Sequence, residues 1–203
     1  MSDDGELFEA SLMLLAAAAV PHVVQRGGPP DPWDAFATGA PLRVEFDSAA
    51  AAARFIDLMG SIPEAQCWMR RRVTGIRRRY ETFVVDVEGA EPTSVVQRLR
   101  EEWNRNAGFL FDGRGVAGSE LRARAAAVWR SALLTAGPKV TASGLRVRER
   151  HRSSVRLLVR AAQVLGVTCR ARPARGYQTI QVAGQGVITL LSTIRPATRT
   201  VRR

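Results

Sequence analysis

The tripeptide Leu-Arg-Val occurs twice, at residues 42–44 and 145–147, and each copy belongs to a series of short segments that recur in the same order. In both series an arginine lies six residues before a glycine, a Tyr-x-Thr segment follows, and an Ala/Leu-rich stretch with a Leu-Leu pair comes first. The matched segments are Leu42-Arg43-Val44 and Leu145-Arg146-Val147, Arg54 to Gly60 and Arg160 to Gly166, Tyr80-Glu81-Thr82 and Tyr177-Gln178-Thr179, and Leu14-Leu15 and Leu133-Leu134. This repetition predicts one supersecondary unit built twice, which functions across the surface that the copies share.

Hydrophobic periodicity predicts the same order of elements in each half: helix, two strands, helix, two strands, helix. We therefore expect an α+β fold of two pseudo-symmetric αββαββα repeats. Each repeat would hold a four-stranded antiparallel sheet with helices on one face, and the uncovered faces would form a continuous saddle. The predicted boundaries are a first repeat at 1–106, a Gly-rich linker at 107–118, a second repeat at 119–194 and a basic tail at 195–203.

Charge divides the chain unevenly. Residues 1–112 hold 17 of the 19 acids and 12 of the 30 basic residues, a net charge of −5, whereas residues 113–203 carry +16. A strongly basic half favours a polyanionic partner, with nucleic acid first and an anionic membrane surface second. Codon bias in a GC-rich genome is an alternative explanation for the preference for arginine over lysine. It does not explain why acids are missing from one half alone.

Other features exclude several classes of function. The two cysteines and two histidines lack the spacing of a metal site or a redox motif. The apolar stretch at 12–24 is too short to span a bilayer, and the acids before it are unlike a secretory signal. There is no nucleophile–base pair and no phosphate-binding glycine loop. The sequence thus predicts a cytoplasmic protein with no catalytic residue, no metal, no cofactor and no membrane partner.

The order of elements, with an Ala/Leu helix opening each copy, resembles the LAGLIDADG fold of homing endonucleases. Within that superfamily the chain is most similar to WhiA, an actinobacterial and Gram-positive regulator linked to sporulation and cell division. The resemblance is carried by residues 127–137, where Ala-Val-Trp-Arg-Ser-Ala-Leu-Leu-Thr-Ala-Gly is similar to a WhiA helix, by the helix at 155–166, and by 172–194. It implies a DNA-binding transcriptional regulator.

Two departures from the family patterns limit what the resemblance implies. An active homing endonuclease uses an acid near the end of each motif helix to hold a divalent metal ion. The corresponding positions here are Ala17 and Ala136, so the resemblance implies a protein without nuclease activity, as in WhiA. WhiA also carries a C-terminal helix-turn-helix domain, and this chain ends before any such domain, so direct promoter recognition by that domain is not expected.

Candidate binding residues are basic side chains on strand faces opposite the apolar side chains, or in the adjoining turns. Guanidinium groups in such rows bind phosphates and position a duplex on a sheet. The alternative is a solvated charged face without a ligand. The predicted DNA-binding residues are Arg43, Arg70, Arg72, Arg77, Arg78, Lys139, Arg146, Arg148, Arg150, Arg170, Arg172 and Arg175.

Aromatic side chains leave two further alternatives. Trp129 is expected to pack between helices rather than to stack on a base, because small residues share its stripe. Trp33 and Phe36, in a Pro-rich loop, would either pin that loop to the surface or bind a partner.

Two hypotheses follow. In the first, the chain is a non-catalytic, nucleoid-associated WhiA-like protein that binds duplex DNA and regulates transcription. In the second, it is an interaction module that docks on a full-length WhiA or another transcription regulator, with its acidic half facing a basic partner. A divergent active nuclease is a third, weaker alternative.

Overall fold

The computed structural model describes residues 3–18, 33, 36, 40–75, 79–112, 118–141, 143–149 and 152–194. In chain order the elements of the first half are α1 (Asp3–Ala18), β1 (Leu42–Phe46), α2 (Ala49–Met59), β2 (Gln66–Thr74), β3 (Tyr80–Glu88) and α3 (Pro92–Asp112). Those of the second half are α4 (Gly118–Thr135), β4 (Lys139–Thr141), β5 (Gly144–Glu149), α5 (Arg152–Val164), β6 (Cys169–Ala174), β7 (Tyr177–Val182) and α6 (Gln185–Ile194). Among these residues the fold is α+β, with six helices and two antiparallel sheets.

The first sheet has the strand order β1-β3-β2. Alternation along the strands places Val44, Val85 and their neighbours on the covered face, against α1, α2 and α3. Ser48 caps the N-terminus of α2, and its hydroxyl accepts a hydrogen bond from the Ala51 amide. The helices leave the opposite face of the sheet open.

The second sheet has the order β4-β5-β7-β6, and α4, α5 and α6 cover the face that carries Leu145, Val147 and Ile180. Helix α5 ends where Gly166 adopts a positive φ of 73°, and the Val167 amide donates to the Ala162 carbonyl at 2.8 Å. Gly144 starts β5 at a φ of 132°, where an added Cβ would lie 2.1 Å from the Val182 carbonyl oxygen. Glycine is therefore required at the turn between β4 and β5.

Helices α1 and α4 join the two halves. Glu9 of α1 is 1% exposed and accepts hydrogen bonds from two arginines. Arg54 of α2 donates Nε and Nη2 to separate carboxylate oxygens at 2.9 and 3.0 Å, and Arg130 of α4 donates Nη2 at 2.7 Å. Burial alone would raise the pKa of Glu9, but the two guanidinium groups outweigh burial and hold the pKa below its usual value. Glu9 therefore links three helices through one buried ionic cluster.

Three sequence-based expectations need correction or fall outside the described residues. Helix α3 does not end near residue 106 but continues to Asp112, so the predicted linker at 107–118 begins as helix. Leu110 explains the extension, because it is fully buried in the second core and its carbonyl accepts from Arg160 Nε at 2.9 Å.

The first sheet has three described strands rather than the four that we expected. A fourth strand would lie between α1 and β1, and most of those residues lie outside the described part of the chain. The predicted tail at 195–203 also lies outside it.

Both alternatives for the aromatic residues are resolved in favour of packing. Trp129 is fully buried in α4, as the small residues around it predicted. Trp33 is buried in the first core, and Phe36 packs against the same core. Both rings therefore pack against the first core rather than being displayed to a partner.

Candidate nucleic-acid interface

Basic side chains lie in rows across the open face of the second sheet. The register aligns Lys139, Arg146, Gln181 and Arg170 on four adjacent strands. Arg148, Thr179 and Arg172 form the next row. The alternation predicted for β5 is confirmed, since Arg146 and Arg148 are exposed while Leu145 and Val147 are buried.

No acidic side chain lies on this face among the described residues. Glu149 of β5 alternates to the covered side of the sheet. The polar partners on the face are the neutral side chains of Gln181, Thr179 and Tyr177. The Arg148 guanidinium lies over the Tyr177 ring, 5.2 Å from the ring centre. Five positive charges therefore share one surface, with Arg175 exposed in the turn after β6.

A groove of about 560 Å³ adjoins the outer edge of the second sheet, between β6 and the start of α6. Arg170, Arg172 and Gln181 line one side of it. Thr168 and Thr189 are also among its lining residues. Arg170 and Arg172 thus belong both to the basic rows of the sheet and to the lining of this groove.

The arginines of the first sheet are paired with acids of the same sheet. Asp86 accepts from Arg43 Nε at 2.6 Å and from Arg70 Nη2 at 2.6 Å. Glu45 pairs with Arg72 at 3.2 Å. Two carboxylates thereby offset two of the three positive charges on this face.

These pairs perturb the titration of the residues involved. Burial would raise the pKa of Asp86, but its hydrogen bonds with Arg43 and Arg70 dominate and lower that pKa. The hydrogen bond with Asp86 correspondingly raises the pKa of Arg43. Asp86 is therefore ionised, and Arg43 charged, throughout the neutral range.

Strand register makes the two faces directly comparable. Leu42 pairs with Val87 as Leu145 pairs with Val182, and Cys67 and Cys169 occupy the matching positions on β2 and β6. Counting from these anchors gives the equivalent pairs Arg43 and Arg146, Glu45 and Arg148, Asp86 and Gln181, Val84 and Thr179, Trp68 and Arg170, and Arg70 and Arg172. The six positions sum to zero charge in the first sheet and to +4 in the second.

Alanine occupies both helix-end positions at which the sequence resemblance to homing endonucleases implies a metal-binding acid. Ala17 lies in the last turn of α1, and Ala136 directly follows α4. No group of three His, Cys, Asp or Glu side chains suited to a metal ion occurs among the described residues. Likewise, no helix in the described part of the chain is both long and apolar enough to cross a membrane.

Comparisons with known proteins identify the fold. No protein-family model matches the sequence, and no curated protein matches it. Among solved structures, I-DmoI in complex with DNA and Mn aligns over 97% of this chain and 99% of its own, with a TM-score of 0.54 and 12% identity. The N-terminal LAGLIDADG domain of DUF199/WhiA aligns over 99% of this chain and 86% of its own, with a TM-score of 0.54 and 11% identity. The chain has the LAGLIDADG fold.

Full-length DUF199/WhiA from Thermatoga maritima gives a TM-score of 0.55 at 13% identity and aligns over 97% of this chain. The chain spans 61% of the length of that protein. The LAGLIDADG fold implied by the sequence resemblance is thus confirmed, whereas membership of the WhiA family is not established at these identities.

The structure brings the predicted binding residues together in two groups. Lys139, Arg146, Arg148, Arg170 and Arg172 share the second open face, and Arg43, Arg70 and Arg72 share the first. Arg77, Arg78 and Arg150 lie outside the described residues. The participation of all twelve residues in binding stays a prediction. Sequence reasoning missed Asp86, Glu45 and Gln181, which determine whether neighbouring arginines are neutralised.

Proposed function

We propose that this chain is a non-catalytic, WhiA-like protein that binds duplex DNA and acts in transcriptional control on the nucleoid. The observation that carries the proposal is the second open face, with five basic side chains and no acid among the described residues. Such a face attracts a polyanion through the release of condensed counterions. The resemblance to WhiA extends the proposal to genes of sporulation and cell division.

The fold supports duplex DNA as the polyanion. I-DmoI, which aligns over nearly the whole chain, is described in complex with DNA. The absence of nuclease activity is proposed because alanine replaces the metal-binding acid at positions 17 and 136. Sustained metal-dependent cleavage of duplex DNA by the pure protein would contradict that part of the proposal.

A salt titration of duplex DNA binding tests the proposal. If roughly six basic groups contact phosphates, log affinity should fall with log salt at a slope near −5. Replacing Arg146, Arg148 and Arg172 together by alanine should make that slope shallower by about 2 to 3 for every sequence tested. A matched control replaces Arg98, Arg122 and Arg156, which are exposed on helices, and removes the same charge from the other layer. A flat salt response of the wild-type protein, or equal losses in the two triple variants, would reject the proposal.

An interaction module that docks on a full-length WhiA or another regulator is the second candidate. It is favoured by the outer face of α6, where Ile188 is 63% exposed and Leu191 is 42% exposed. Replacing both by serine should abolish co-purification of such a partner from the native host. Clear DNA binding with no retained partner would eliminate this candidate.

A further inference from the structure

The first open face carries an arginine–carboxylate cluster whose geometry suits a different task from that of the second face. Asp86 lies on the central strand β3 and receives one arginine from each side, Arg43 from β1 and Arg70 from β2. Its side chain is only 12% exposed, so the carboxylate forms the base of the cluster. The two arginine side chains above it are 59% and 63% exposed.

Arg43 is bound in a way that leaves its recognition end available. Within the described residues it bonds to Asp86 through Nε, at 2.6 Å. Its two terminal nitrogens, Nη1 and Nη2, remain as paired donors at the end of a fixed side chain. Because the carboxylate restrains the guanidinium, Arg43 loses less conformational freedom when it binds a ligand than an unrestrained arginine would.

Asp86 makes the cluster a weaker phosphate site than the second face, because the two arginines and the carboxylate together carry a net charge of only +1. Asp86 would repel a phosphate group held by Arg43, and it already satisfies much of that arginine's charge. Asp86 does not repel an uncharged hydrogen-bond acceptor in this way. Guanine offers two uncharged acceptors, O6 and N7, side by side in the major groove, and arginine binds them with two donors at once.

The equivalent position in the second sheet shows the contrast. Gln181 replaces Asp86 there, so among the described residues the second face has no carboxylate to restrain or neutralise Arg146. Trp68 replaces Arg170 beside the first cluster and is 57% exposed. The first face thus presents fixed donors and an apolar ring where the second presents unneutralised charge.

We propose that Arg43, oriented by Asp86, contacts the O6 and N7 edge of a guanine, so that the first sheet supplies base preference and the second supplies sequence-independent affinity. The inference rests on the proposed function, because it requires duplex DNA to lie across both open faces. Asp86 is a positioning residue, and Arg43 is the residue that touches the base.

Selection from a pool of random-sequence duplex DNA, followed by sequencing, tests the inference with the full chain. The wild-type protein should enrich a guanine at one or more fixed positions. Arg43→Lys keeps the charge but replaces the planar pair of donors, held in place through Nε, by a flexible ammonium group, and should reduce that preference about tenfold to a hundredfold. Asp86→Asn keeps the shape but removes the restraint, and should also reduce the preference.

The affinity for random-sequence duplex separates orientation from charge. Asp86→Asn should leave that affinity unchanged or increase it, because one negative charge leaves the face. Arg146→Ala, the matched control at the equivalent position of the second sheet, should lower affinity for all sequences while the guanine preference remains. Arg43 is exposed, so Arg43→Lys provides a folded variant if Asp86→Asn proves unstable.

Each result has a definite meaning. Salt-dependent binding with no base preference would overturn the inference and leave the proposed function intact. A guanine preference that survives Arg43→Lys would also overturn it. No duplex binding by the wild-type protein would reject both.

Discussion

The two open sheet faces share one register but differ in charge. At six equivalent positions the first sheet carries a net charge of zero and the second carries +4. Three exchanges produce the difference: Asp86 for Gln181, Glu45 for Arg148, and Trp68 for Arg170. A duplicated scaffold can therefore hold two surfaces of different charge without any change in strand order around its centre.

The repeated arginines of α2 and α5 also differ between the two copies, in the groups to which they donate hydrogen bonds. Arg54 and Arg160 each lie six residues before a glycine. Arg54 pairs with the buried carboxylate of Glu9, whereas Arg160 donates to the backbone carbonyl of Leu110. Equivalent positions thus fasten different helices in the two halves, and of these two arginines only Arg54 takes part in the Glu9 cluster that links the halves.

The largest effect is expected at this link. Glu9→Gln should reduce the free energy of unfolding by about 3 kcal/mol, because it leaves two largely buried guanidinium groups without their counter-charge. Urea unfolding monitored by circular dichroism measures the change. Glu101→Gln, on the exposed side of α3, is the matched control and should change stability by less than about 0.5 kcal/mol. Similar losses in both variants would show that the Glu9 cluster is not a special link.

Acidification should weaken the same link. The folded-state pKa of Glu9 lies below the unfolded value of 4.5, so its contribution is complete above that value and is lost as the pH falls through the folded-state pKa. The difference in stability between wild type and Glu9→Gln should therefore shrink as the pH is lowered below 4.5. A difference independent of pH would contradict the ionic explanation.

A single substitution should give the second face a carboxylate that neutralises its arginines, as Asp86 does on the first face. Gln181→Asp places a carboxylate between Arg146 and Arg170, where it would accept from them as Asp86 accepts from Arg43. Affinity for duplex DNA should fall on the order of tenfold, about 1.4 kcal/mol, and the salt slope should become shallower by about 1. Fluorescence anisotropy at several salt concentrations measures both.

Gln97→Asp is the control for that experiment, since it makes the same change of charge at an exposed position of α3. Its DNA affinity should remain close to that of wild type. If the two variants bind equally weakly, net charge rather than the face of the second sheet controls binding.

Local pattern was sufficient to predict many of the elements. Alternating apolar residues indicate strands at Leu42–Phe46 and Tyr80–Glu88 from sequence alone, and these are the bounds of β1 and β3 in the structure. The end of α3 was wrong because glycines near residue 108 suggested a linker. Leu110 overrides that local preference by filling the second core, which no pattern within 107–118 reveals.

For a similar reason, the sequence predicted which arginines lie on the open faces but not which of them are neutralised. Alternation identifies which arginines leave a strand on the open side, but it does not identify what lies beside them. Aligning the Tyr-x-Thr segments makes Val84 the counterpart of Gln181, whereas strand register makes it Asp86, two residues further on. The neutralisation of Arg43 depends on this shift, and it becomes visible only when β1 and β3 are paired.

The smallest effect concerns the two-residue offset between the repeated sequence segments and the strand register. Tyr80 and Tyr177 occupy the same place in the repeated segments, but register makes Thr82 the counterpart of Tyr177, so Tyr80 lies beyond the part of the first sheet that matches the second. Tyr177 lies under the Arg148 guanidinium, while Tyr80 is 60% exposed. Tyr177→Leu should therefore cost about 0.5 kcal/mol of stability and weaken DNA binding about twofold, because Arg148 loses its support. Tyr80→Leu should leave stability unchanged within the error of urea unfolding. Equal effects of the two substitutions would contradict this prediction. They would mean that Tyr80 and Tyr177 have the same structural role despite their different positions in the strand register.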